Sequence, residues 1–175
     1  MTNKIESFSN FLSAVDSQKL YHYLLNSSFK IGWDDSDEPQ HKSYPNLFTE
    51  YSLEELKNLN ILGAALKLMQ KYEVTIDDYL HCRVNLSKPC DVNFIHFHPH
   101  QLVLLYYCNL SWFPEWGGET LFYEEDKKNI KCCNIYEPNK ALVFDGSLPH
   151  TIKSQNILGP TYRFTLNLFF KKHGS

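Results

Sequence analysis

The sequence predicts a mainly β fold, a jelly roll with N-terminal helices packed on one face, and three observations carry that reading. The second half of the chain breaks into short runs rich in β-branched and aromatic residues, separated by turn formers. The last of these runs alternates apolar Phe164, Leu166 and Leu168 with polar Arg163, Thr165 and Asn167, so its two faces differ in chemistry. The first part of the chain, residues 1–75, carries helical spacing instead.

The chain is 175 residues long, enough for one self-supporting core, and 1–175 reads as a single domain with 1–75 helical and 76–172 the jelly-roll core. A 43% hydrophobic and 15% aromatic composition with only 21% charged residues excludes a disordered or coiled-coil chain. The formal charge of −3 lacks the basic excess that a phosphate backbone demands, so no nucleic-acid partner is expected. No apolar run approaches the ~20 residues of a membrane span, and the first residues lack the pattern of a signal peptide. Five cysteines, an odd number with no C-x-x-C spacing, read as reduced packing thiols in a cytoplasmic protein.

A short amphipathic helix is expected over 17–26, from Leu20, Tyr21, Tyr23, Leu24 and Leu25. Ser52 and Glu55 have capping-box spacing, and Leu53, Leu56, Leu59, Leu62, Leu66 and Met69 then recur down one helical face. Between these helices an acidic, turn-rich stretch reads as an exposed loop without chemistry of its own. Strands are expected at 78–86, 92–98, 101–109, 119–125, 130–136, 141–146, 150–154 and 162–170. Short strands at this spacing suit a sheet folded over on itself, with the helices covering its outer face.

Of eight histidines, three fall in His96-Phe97-His98-Pro99-His100. Residues two apart in an extended segment share a face at about 7 Å, so His96 and His98 project together. His150, at a strand start after a turn, is the best third group. Neutral imidazoles buried together need partners, and a metal ion supplies one. His100 is an alternative ligand in place of His96 or His98, while His22, His41, His81 and His173 read as incidental. Arg163, in a strand of Phe and Leu, calls for an anion: a ligand's carboxylate, or internally Glu119 or Asp145. Trp116-Gly117-Gly118 marks a tight turn or a close backbone approach and is no phosphate loop.

Together, the H-x-H strand, W-G-G-E-T-L-F-Y after L-L-Y-Y-x-N, A-L-V-F-D-G-S-L-P-H and the arginine of Y-R-F-T-L resemble the 2-oxoglutarate and Fe(II)-dependent dioxygenases. The prolyl 4-hydroxylase-like branch is the nearest in flavour, and the resemblance covers roughly 80–171. It implies a double-stranded β-helix (the cupin-like jelly roll) and an oxidoreductase, a hydroxylase, using O2 with Fe(II) and 2-oxoglutarate as cosubstrate. It implies that His96 and His150 hold the metal, that Arg163 receives the far carboxylate of 2-oxoglutarate, and that Tyr107 hydrogen-bonds that carboxylate while Tyr106 faces the other way. Thr165 and Asn167 share the face of Arg163 and line the cosubstrate pocket; Asp145 and Trp116 are framework positions. The substrate implied is an amino acid, a peptidyl residue or a small biosynthetic molecule.

The chain departs from the family at the second ligand, where a carboxylate is usual and His98 stands here. Three neutral imidazoles (His96, His98 and His150) still suit Fe(II) but leave the site one charge more positive. Two alternatives keep the fold: a three-histidine dioxygenase that does not use 2-oxoglutarate, and a non-catalytic jelly-roll binding protein. A metal other than iron, such as Zn, Cu or Ni, also suits imidazole ligands.

Overall fold

The computed structural model describes residues 5–33 and 41–173, so the acidic run of the expected loop lies outside the described residues. Strand β1 (Glu6–Phe8) leads into helix α1 (Ala14–Leu25), whose first turn is capped by the Ser13 hydroxyl accepting the Asp16 N–H. Strands β2 (Lys30–Trp33) and β3 (Asn46–Thr49) pair as an antiparallel hairpin before α2 (Leu53–Asn58) and α3 (Ile61–Met69). The capping box at Ser52 and Glu55 is formed. The single helix expected beyond it is two helices, because Asn60 adopts a left-handed conformation at φ 60° and ends the first. Asparagine tolerates that conformation better than most residues. The periodicity survives the break because Leu56, Leu59, Leu62 and Met69 are all buried against the same sheet face.

Seven strands follow: β4 (Tyr79–Ser87), β5 (Gln101–Tyr107), β6 (Thr120–Tyr123), β7 (Ile130–Asn134), β8 (Ala141–Asp145), β9 (His150–Ile152) and β10 (Arg163–Lys171). With 34% strand against 24% helix the fold is mainly β. A larger sheet runs β1-β8-β5-β10-β4-β3-β2 and a smaller one β7-β6-β9. The first 75 residues therefore hold more than helices, since β1, β2 and β3 extend the larger sheet at its two ends. Strands of three or four residues are too short to show a period in sequence. The segment 92–98, expected as a strand, makes a single antiparallel bridge between His96 and His150. Beside that bridge the Phe94 carbonyl accepts from the His96 ring, and the His98 N–H donates to Gly146 in the turn.

Alternation along the strands sorts the core into two layers. Even-numbered Leu102, Leu104 and Tyr106 of β5 and Phe164, Leu166, Leu168 and Phe170 of β10 face the helices, packing with Leu20, Leu24, Leu56 and Ile61. Odd-numbered Val103, Leu105, Tyr107 and Phe169 face the smaller sheet, with Phe122, Tyr136 and Phe144. Tyr106 and Tyr107 thus point to opposite faces, as expected. All five cysteines are free, and no described helix is long and apolar enough to cross a membrane.

Candidate metal centre and cosubstrate pocket

Between the sheets, one ligand atom from each of His96, His98 and His150 lies within 4.8 Å of the other two. The spacing His-x-His brings the first two rings to 5.1 Å, centroid to centroid. The third arrives by main-chain pairing. His96 N donates to His150 O at 3.0 Å, His150 N donates to His96 O at 2.9 Å, and His98 N donates to Gly146 O at 2.6 Å. The centre is therefore a product of one loop docking on the turn before β9. His100 sits outside it, exposed and in a left-handed conformation at φ 62°, so it replaces neither His96 nor His98. Pro99 and His100 turn the chain into β5 rather than continue the extended segment.

The electrostatics suit a cation. Burial pushes the His96 pKa down to about 4 despite its bond to the Phe94 carbonyl. Burial, then the neighbouring His96, pushes His98 down to about 3, and His150 lies well below its usual value for the same two reasons. Neutral imidazoles are what a transition metal requires of histidine ligands. His96 donates its Nδ1–H to Phe94 O at 3.0 Å and His150 donates its Nδ1–H to Leu148 O at 2.7 Å. Those bonds fix the tautomer, so both rings present Nε2.

The cavity beside the histidines is lined by Asn85, Leu105, Thr120, Ile152, Thr165, Asn167 and Phe169. Thr165 and Asn167 were expected there from strand alternation. Thr120, Asn85 and Phe169 were not, although Phe169 shares the odd-numbered face of β10 and the same alternation points to it.

Arg163 is fully buried, and two of its three nitrogens, Nε and Nη1, have no hydrogen-bond partner among the described residues. Its Nη2 donates to Gly118 O at 2.8 Å, and its guanidinium lies 4.7 Å from the Tyr136 ring centroid. Burial lowers its pKa, opposed by Tyr136, Tyr107, Cys108 and the more distant Glu119 carboxylate, and a guanidinium remains charged through such a shift. The internal ion pair allowed by the sequence does not form: Asp145 pairs with Lys172 at 2.7 Å, and Glu119 faces Lys153 at 3.7 Å. The Trp-Gly-Gly turn shapes the cradle. Gly118 has φ 83°, and a Cβ there would stand 2.9 Å from Trp112 Cζ2 and 3.1 Å from Arg163 Nε. Tyr107 lies beside Arg163, 6.0 Å from ring centroid to guanidinium, but its hydroxyl donates to Thr120 Oγ1 at 2.8 Å. Its reach to the cavity is through Thr120.

Two sheets folded over a cluster of three histidines, with helices behind the larger sheet, define a double-stranded β-helix. Particular solved structures share it. A prolyl hydroxylase from Trichoplax adhaerens, in complex with a hypoxia inducible factor peptide fragment, superposes with TM-score 0.69 at 16% identity, covering 98% of this chain and 84% of its own. A Pseudomonas putida prolyl-4-hydroxylase gives TM-score 0.65 at 16% identity over 99% of this chain and 95% of its own. HygX from Streptomyces hygroscopicus, with nickel and 2-oxoglutarate bound, gives 0.68 at 9% identity over 98% and 84%. No protein-family model and no curated protein sequence matches the chain.

Proposed function

We propose that the chain is a non-haem Fe(II) and 2-oxoglutarate-dependent oxygenase, a hydroxylase acting on an amino acid, a peptidyl residue or a small biosynthetic substrate. The observation that carries the reading is Arg163: a buried guanidinium with two unpartnered nitrogens, on the strand face that also lines the histidine cavity. Buried donors left without acceptors are unfavourable, and a dicarboxylate that reached the metal with one end and Arg163 with the other would satisfy them. A three-histidine dioxygenase without 2-oxoglutarate leaves that guanidinium unexplained.

The residues fit both groups. His96, His98 and His150 would hold Fe(II), and Arg163 would hold the far carboxylate, with Thr165, Asn167 and Thr120, itself held by the Tyr107 hydroxyl, as walls. Fe(II) with 2-oxoglutarate supplies the oxidation of a C–H bond by O2. The chain's own work is to fix the imidazole tautomers, neutralise the far carboxylate on Arg163 and keep water out with Leu105, Ile152 and Phe169. That similar structures hold a peptide in one case and 2-oxoglutarate with nickel in another supports a pocket of this type. Five free thiols favour the cytoplasm, and a single domain over 1–175 fits strands from both halves in one sheet.

The test is direct. Anaerobic addition of Fe(II) and 2-oxoglutarate should give a visible charge-transfer band, and O2 should then release succinate even without substrate. Iron binding with neither band nor succinate rejects the assignment.

A further inference from the structure

The three histidines are not held alike. His96 and His150 each donate Nδ1–H to the carbonyl two residues earlier, Phe94 O at 3.0 Å and Leu148 O at 2.7 Å. The corresponding acceptor for His98 is His96 O, and that oxygen already receives the His150 N–H at 2.9 Å. The His98 ring makes no hydrogen bond among the described residues. It is placed by packing instead. The Phe169 ring meets it edge to face at 4.9 Å and 73°, and the cross-strand neighbour of Phe169, His81, stacks on Phe169 at 4.3 Å and 18°.

A hydrogen bond from the non-ligating nitrogen orients a metal-bound imidazole and strengthens it as a donor, and losing such a partner weakens metal binding by about 10–100-fold. His98 lacks that support and also lacks the charge of a carboxylate. Resting on the three-histidine centre proposed above, we infer that His98 is the exchangeable ligand of the site, and that Phe169, backed by His81, is the positioning residue that aims it. His96 and His150 form the permanent pair. An oxygen donor from outside, such as a carboxylate, can then take the place of His98 without releasing the metal.

Co(II) binding to the full chain tests this without turnover. In the proton spectrum of the Co(II) form, two shifted, slowly exchanging ring N–H signals are expected, from His96 and His150, with the third exchanging fast with water; three slow signals reject the inference. By competition with a chromophoric chelator, His98→Ala should weaken Co(II) binding about tenfold, on the scale of a lost outer partner. His96→Ala and His150→Ala should each weaken it at least about ten times more, and equal losses for all three reject the inference. Phe169→Leu should lower affinity to the level of His98→Ala and add nothing in the double variant. An additive loss, or none, removes Phe169 from the role. His81→Ala, which unstacks Phe169 from the far strand, gives the same reading if Phe169→Leu does not fold. A wild-type chain that binds no Co(II) overturns the metal centre itself, whereas binding with three equal losses overturns only the ranking of ligands.

Discussion

The main-chain N–H of His98 donates to the Gly146 carbonyl at 2.6 Å, and a Cβ on residue 146 would stand 2.5 Å from the His98 carbonyl oxygen. The histidine loop and the turn before β9 approach so closely that only glycine fits between them. This contact, with the His96–His150 bridge, converts a local His-x-His pair into a cluster of three histidines.

Gly146→Ala is therefore expected to push the loop away and open the centre. Metal affinity should fall by about tenfold or more, on the scale of a disturbed outer partner, with a lower melting temperature from overpacking of about 1–3 kcal/mol. Titration of Co(II) into wild type and variant, alongside thermal unfolding, measures both. Unchanged affinity in the variant would show that the backbone contact does not hold the ligands.

Arg163→Leu should abolish cosubstrate binding while leaving metal binding near wild type. Truncating one member of a buried charge pair costs about 2–5 kcal/mol, which is read as a rise in the 2-oxoglutarate KM for succinate release. Gly118→Ala should give a milder version of the same defect, since its Cβ would crowd Arg163 Nε at 3.1 Å. Tyr107→Phe should have little effect on that KM, because its hydroxyl is spent on Thr120.

His98→Asp should retain both metal and 2-oxoglutarate binding, because a carboxylate at this position serves the same face with one more negative charge. Isothermal titration with Fe(II) under anaerobic conditions, followed by 2-oxoglutarate, checks each in turn. Losing both would mean that the cavity accepts imidazole alone at residue 98.

Asp145 supplies a pH prediction. Burial raises its pKa, but the Lys172 ammonium at 2.7 Å and the Ser147 N–H at 2.9 Å outweigh burial, so the carboxyl lies below its usual value. A carboxylate depressed in the folded state binds fewer protons there than in the unfolded chain. Its stabilisation is complete above the unfolded value of about 4 and is lost as pH falls through the folded one. Melting temperature should drop more steeply below pH 4 for wild type than for Asp145→Asn, and parallel curves would show that Lys172 adds nothing.

Much of this was legible in the chain because it is local. Alternation of Arg163, Thr165 and Asn167 against Phe164, Leu166 and Leu168 identified both faces of β10, and the Ser52–Glu55 spacing identified a helix start. The His-x-His spacing paired two histidines, and the W-G-G turn marked a close approach without naming what approached. The rest is set by partners distant in sequence. Nothing around His98 announces that its ring is left without a hydrogen bond, or that Phe169 takes over its placement. Nothing near Arg163 shows that Glu119 and Asp145 are engaged by Lys153 and Lys172. Residue order determined the chemistry available and the faces on which it lies. Tertiary structure decided which groups meet and which stay unpartnered, because a hydrogen-bond acceptor or a counter-charge is occupied only once both strands that supply it are in place.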